Sequence, residues 1–147
     1  MEIKYQLFEN ENLFVQKYTG IFSIEKYQKY TRYITEFVAT KPIRKVLVDF
    51  RELIFNDMPD DFSQNLKKVV EFRRNVNETE LKNKDITLVF WVDKPMPTVI
   101  ANLFSANFPN YNYCSTAEIV ITTLRLPEHL HNLDSIIKNL ENTVDSR

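Results

Sequence analysis

Glycine is nearly missing from this chain: Gly20 is the only one among 147 residues, where an average protein devotes about 7% of its positions to it. Glycine lets the backbone approach a phosphate closely and supplies positive φ at no steric cost. A single copy excludes both the Walker-A loop and the dinucleotide fingerprint, since each needs at least two. The fourteen asparagines are expected to take over turn positions, because Asn tolerates the left-handed region better than other side chains. Cysteine is as scarce. Cys114 stands alone, which excludes an intrachain disulfide and any two-thiol metal site within one chain. Without a histidine beside it in sequence, it reads as a buried strand residue rather than a nucleophile. The only histidines, His129 and His131, lie two apart, so on a helix they face different sides and lack the i, i+4 spacing of a chelating pair.

Charge of one sign is also lacking. Nineteen basic residues stand against twenty acidic ones, for a net charge of −1. Such a balance offers no field for nucleic acid. No stretch approaches the roughly 18 uncharged apolar residues of a membrane helix, so stable membrane insertion is not expected. The opening Met1-Glu2-Ile3-Lys4-Tyr5-Gln6 carries charges and lacks the apolar run of a signal peptide. A cytoplasmic location is the default expectation. What is present is an ordinary globular composition, 44% hydrophobic and 27% charged, at a length that buries one real core.

Apolar periodicity then orders the chain. Ile3 to Phe8 and Leu13 to Tyr18 read as strands of a hairpin closed at Glu9-Asn10-Glu11-Asn12, with Ile3, Tyr5 and Leu7 alternating against Glu2, Lys4 and Gln6. Gly20 ends the second strand. Ser23 is placed to cap a helix running to about Thr40, with Ile24, Tyr27, Ile34, Phe37 and Val38 on one face. Tyr27, Tyr30 and Tyr33, at intervals of three, drift around that helix, so some of them are expected to be partly exposed. Lys41-Pro42 stops it. Arg44 to Phe50 and Ile86 to Val92 have centres apolar on both faces, as central parallel strands covered on both sides require. Between them Phe62, Leu66, Val69, Arg73 and Val76 mark an amphipathic helix that starts at Pro59-Asp60-Asp61. Ser63 is an ordinary first-turn residue of it. Pro95 and Pro97 open a helix through Val99, Ile100, Leu103 and Phe104 that ends before Pro109.

Tyr111 to Cys114 reads as a short strand. Ser115-Thr116-Ala117-Glu118 matches the Ser-x-x-Glu capping box, while the β-branched Ile119-Val120-Ile121-Thr122-Thr123 favours an extended chain. The box decides for helix. A final helix is expected over 127–142, with Leu130, Leu133, Ile137 and Leu140 on one face. The order is β-β-α-β-α-β-α-β-α-α, an α/β fold in one domain over 1–147 with no Gly-, Ser- or Pro-rich linker.

This order and several segments resemble the SpoIIAA-like branch of the STAS domains. The segments are Thr19-Gly20-Ile21-Phe22-Ser23 entering the first helix and Arg44-Lys45-Val46-Leu47-Val48-Asp49-Phe50-Arg51. Val89-Phe90-Trp91-Val92-Asp93-Lys94-Pro95 leads to a helix, and Cys114-Ser115-Thr116-Ala117-Glu118 opens a late one, with Leu124-Arg125-Leu126 in the place of a Trp-Leu pair. The resemblance covers the chain to about Leu126 and leaves the last helix as an addition. It implies a four- to five-stranded mixed sheet flanked by helices, used for regulation through protein contact or for binding small ligands. It carries no catalytic motif. Phosphoregulated antagonists of that family place a serine in the turn after the third strand. Here Asp49-Phe50-Arg51-Glu52-Leu53-Ile54-Phe55-Asn56-Asp57 contains neither Ser nor Thr, so the resemblance does not extend to that switch.

Candidate chemistry gathers where central strands end. Asp49 and Asp93 each follow one, at the edge where open α/β sheets bind ligands. A carboxylate pair there suits Mg²⁺, yet no phosphate cradle accompanies it, and strand-end aspartates commonly serve loops as hydrogen-bond acceptors. The stretch Arg51 to Asp61 reads as a loop with Leu53, Ile54, Phe55 and Met58 among charges. It either tucks beneath the sheet or lines a pocket with the helix after Pro97. Asp49, Arg51, Leu53, Ile54, Phe55, Met58, Asp93 and Pro95 are therefore the candidate partner- or ligand-binding residues. No catalytic residue, metal site or cofactor is assigned. The expected function is non-enzymatic, by contact with another protein or a second copy of the chain. A small apolar ligand is the alternative, and a Mg²⁺-dependent phosphotransfer enzyme on Asp49 and Asp93 a distant third.

Overall fold

The two doubly apolar runs become neighbouring central strands. In the computed structural model, which describes residues 1–55, 62–79, 81 and 85–144, β1 (Glu2–Phe8), β2 (Leu13–Ile21), β3 (Lys45–Ile54), β4 (Thr87–Trp91), β5 (Tyr111–Cys114) and β6 (Asn142–Thr143) form one sheet. Its order is β5-β4-β3-β2-β1-β6. β2 to β5 run parallel to one another, and β1 pairs antiparallel with both β2 and β6. The helices are α1 (Ile24–Ala39), α2 (Phe62–Thr79), α3 (Pro95–Asn107), α4 (Ala117–Leu124) and α5 (Leu133–Lys138). This is the expected mixed α/β sheet with one strand more.

Period-two alternation sorts side chains into two cores. Phe14, Val46, Val48, Phe50, Leu88 and Phe90 pack under α1, α2 and α3 on one face. Leu13, Val15, Leu47, Val89 and Trp91 pack under α4, α5 and the turn at Glu128–Leu130 on the other. The first core is aromatic. Phe50 meets Phe90 at 5.1 Å and Phe90 stacks on Phe104 at 5.6 Å and 17°. Each such ring contributes roughly 1.5–3 kcal/mol by leaving water. Parallel strands have no wet face to spare, which is why these segments carry no polar alternation.

Local chemistry sets the boundaries. Asn12 closes the hairpin at φ 54°, the left-handed conformation that Asn accepts in place of glycine. Ser23 Oγ accepts from the Lys26 backbone N–H at 3.3 Å and so caps α1. Pro95 occupies the first turn of α3, where its missing N–H costs nothing. α4 is a helix despite its β-branched run, but the cap is Thr116, whose Oγ1 accepts from Ile119 N at 3.4 Å. The Ser115–Glu118 box is thus one residue out of register with the helix that forms. Of the three tyrosines of α1, Tyr27 and Tyr30 are buried, and Tyr33 is exposed with its hydroxyl on that of Tyr5.

Two expectations are corrected. Arg51 to Ile54 is not loop: β3 continues through it, pairing Glu52, Leu53 and Ile54 with Thr19, Gly20 and Ile21 after a register shift. The longer β2 offers backbone partners that outweigh the charged composition of that stretch. Nor is 127–142 one helix. It divides into the turn at Glu128–Leu130, the six-residue α5 and β6. The open edge of β1 captures the chain, through Lys4↔Thr143 and Tyr5↔Asn142 and the bond from Val144 N to Ile3 O at 3.0 Å. An unpaired strand edge is a strong template, and Leu130, Leu133, Ile137 and Leu140 remain buried in the segmented form.

Candidate functional site

The carboxyl ends of β2, β3 and β4 open onto a polar hollow lined by Lys17, Asp49, Arg51, Glu52, Asp93, Lys94 and Asp134. At its base Asp49 is 1% exposed. Asp49 Oδ1 accepts from Arg51 N at 3.0 Å and from Arg51 Nε at 3.0 Å, and Oδ2 accepts from Nη2 at 3.1 Å. The guanidinium lies over the Trp91 ring, 3.5 Å from its centroid, and reaches Asp134 on α5 at 3.1 Å through Nη1. Burial works against its charge, but the bonds and charge of Asp49 outweigh this and raise its pKa. Lys94 Nζ donates to the Arg51 carbonyl. On the rim Lys17 pairs with Glu52 at 2.9 Å, which draws the Glu52 carboxyl down.

Arg51 therefore decides what Asp49 can do. Three of the roughly four lone-pair sites of that carboxylate are used, all by Arg51. A shared cation would have to displace a guanidinium that Trp91 and Asp134 also hold. Asp93 is half-exposed and 3.8 Å from Lys94. Among the described residues no group of three or more His, Cys, Asp or Glu is arranged to hold a metal ion.

The other residues singled out from sequence are dispersed. Leu53 is buried in the aromatic core, whereas Ile54, one residue on, is 52% exposed beside the equally exposed Ile21, its register partner. Phe55 packs against Phe22, the ring centroids 4.9 Å apart and the planes tilted by 30°. Pro95 begins α3 at the edge of the hollow. Met58 and the helix start at Pro59-Asp60-Asp61 lie outside the described residues. His129 Nε2 meets Glu11 Oε1 at 2.7 Å and His131 Nε2 meets the Leu126 carbonyl at 2.9 Å, and neither lines the hollow. Burial pushes the Cys114 thiol up, and its sulfur lies 3.7 Å from the Thr116 carbonyl.

A second concavity was not anticipated. On the aromatic face a cavity of about 260 Å³ opens between the sheet and α1 and α2. Val46, Val48 and Phe90 form its floor, Ile34 and Val38 part of its roof, and Gln16, Thr31, Thr35, Arg73 and Asn77 supply polar groups. Leu81, Ile86, Pro109 and Asn110 also line it, at the amino ends of β4 and β5. This cavity lies near the opposite end of the strands from the Arg51–Asp61 stretch, where the sequence suggests a pocket. The signal available in the sequence was Arg73, a charged residue at an apolar position of the α2 stripe.

No protein-family model matches the chain, and no curated protein is similar to it. Among solved structures it is similar to one described as "Structure of the Anti-Sigma Factor Antagonist SpoIIAA in its Unphosphorylated Form", with a TM-score of 0.53 and 13% identity. The match covers 86% of this chain and 99% of that one. At such low identity the likeness concerns the path of the backbone and not the residues of a site. No helix among the described residues is long and apolar enough to cross a membrane. With its parallel core, N-terminal hairpin and flanking helices, the chain has a SpoIIAA-like fold.

Proposed function

We propose that this chain is a non-enzymatic regulatory domain that acts through protein contact at the carboxyl edge of its sheet. One observation carries the proposal: Ile21 and Ile54 sit side by side on β2 and β3, each 52% exposed. Two adjacent branched aliphatic side chains beside a ring of charges make an apolar centre with a polar rim, the composition of a contact surface. The Phe22 and Phe55 rings, in tilted contact, follow directly in sequence on both strands. The fold it shares with an anti-sigma factor antagonist supports the same class of function. From Asp49 to Phe62 the sequence has no Ser or Thr, so contact here is independent of phosphorylation in that segment. The non-enzymatic reading is supported by the occupied state of Asp49, Cys114, His129 and His131.

The experiment compares the wild type with Ile21→Glu/Ile54→Glu. Sedimentation over a wide concentration range reads self-association, and crosslinking in the native cell reads other partners. A complex formed by the wild type and lost in the double variant is the expected result. A protein that is monomeric and crosslinks identically in both forms refutes the proposal. The cavity favours a second reading, a binder of small apolar molecules. Thermal stabilisation of the protein by such molecules tests it.

A further inference from the structure

The cavity is lined by a positive charge that has no counter-ion among the described residues. Arg73 lines it from α2. Its Nη2 donates to Tyr27 Oη at 3.2 Å, while its Nε is buried without a hydrogen-bond partner. Among the described residues no carboxylate forms an ion pair with it. Burial pushes the Tyr18 phenol in the cavity wall up, so it keeps its proton, and the Tyr111 hydroxyl accepts from Asn77 Nδ2 at 3.2 Å. A second orphan shares the wall, the buried Thr31 Oγ1. A guanidinium stays charged at every pH a cell reaches. Arg73 is half-buried, and holding a cation partly out of water without an anion is costly. Native proteins leave few buried polar groups unpaired, and here two belong to residues that line one void.

We infer that the cavity binds a small amphipathic carboxylate, its acid group on Arg73 and its tail against Val46, Val48 and Phe90. This rests on the reading of the cavity as a ligand site and names the ligand's chemistry. A guanidinium presents parallel N–H donors that fit a carboxylate in two-point contact. One fixed cation matches one negative charge, whereas a phosphate monoester brings close to two. Size follows from the volume. An apolar cavity of about 150 Å³ accommodates benzene, so about 260 Å³ holds on the order of ten heavy atoms, the size of octanoate.

The test measures binding of sodium octanoate and of 1-octanol to the full chain by calorimetry and thermal shift. Octanoate is expected to bind roughly 10- to 100-fold more tightly, the worth of hydrogen bonds to a charged group. Arg73→Met should erase that preference and raise the melting temperature of the ligand-free protein by removing an unpaired charge. Arg73→Gln, which keeps a polar partner for Tyr27, gives the same comparison where the methionine variant does not fold. Equal binding of the two probes, unaffected at position 73, overturns the carboxylate assignment and leaves a general apolar site. Binding of neither overturns both. A ligand-free Arg73→Met protein that melts lower with octanoate affinity unchanged makes Arg73 a structural residue and overturns the inference.

Discussion

Asp49→Asn is the substitution that best separates a structural clamp from a metal site. The asparagine preserves volume and one oxygen but turns an NH₂ group toward the guanidinium of Arg51, opposing donor to donor. Removing one partner of a buried ion pair costs about 3–5 kcal/mol. Here Asp49 is buried, but the Arg51 side chain is 23% exposed and keeps Asp134 at 3.1 Å and the face of Trp91. The loss is therefore expected near the lower end, about 2–3 kcal/mol, discounted for water that reaches the guanidinium. For a chain of this size about 3 °C accompanies each kcal/mol, so melting should fall by roughly 6–9 °C. Denaturant titration and calorimetry in a chelating buffer read this directly. Arg51→Met alone should cost a similar amount, since it leaves the Asp49 carboxylate buried and unpaired. The double variant should cost much less than the sum, because replacing both partners removes the unpaired charge. An Asp49→Asn protein that melts like the wild type in chelator, or strict additivity of the two substitutions, refutes the clamp.

Two further outcomes follow from backbone and burial. Gly20 holds φ +86°, and a Cβ there would meet the Met1 backbone at 3.4 Å. Gly20→Ala should therefore destabilise by about 1–2 kcal/mol in denaturant titration, and an unchanged midpoint would contradict the assigned conformation. The Tyr5 hydroxyl is pushed up from 10.0 to about 12 by burial, helped by its bond to Tyr33. Its folded-state pKa lies above the unfolded value, so the stabilisation is full below pH 10 and is lost as pH rises from 10 toward about 12. Tyr5→Phe should flatten the stability profile in that window, and an identical slope would remove Tyr5 as its source.

How far the sequence could be read varies from segment to segment. The first hairpin, α1 with its Ser23 cap, the Pro95 start of α3 and the doubly buried β3 and β4 were legible, because each rests on local chemistry or strict periodicity. The helical state of Ala117–Leu124 was legible too, although the capping residue was misplaced by one, since Ser115 and Thr116 compete for the same role. The end of β3 was not. Arg51, Glu52 and Ile54 look like loop until β2 is seen alongside, lending them hydrogen bonds. Of the proposed site residues, Asp49, Arg51 and Asp93 reach one hollow because parallel strands end together, while Leu53 turns inward by the alternation that turns Ile54 outward.

The sequence by itself determined what this protein could not be built from. One glycine removes the standard phosphate loops, and one cysteine with two ill-spaced histidines leaves no chelating set in the chain's local order. It also determined the succession of strands and helices, since periodicity and caps are local properties. Only the tertiary structure decided the rest. It closed Asp49 with Arg51, drew Asn142 and Thr143 onto the free edge of β1, and left Arg73 beside a void. Each of these depends on which distant groups compete for the same hydrogen bonds, charges and space, and no local pattern records that competition.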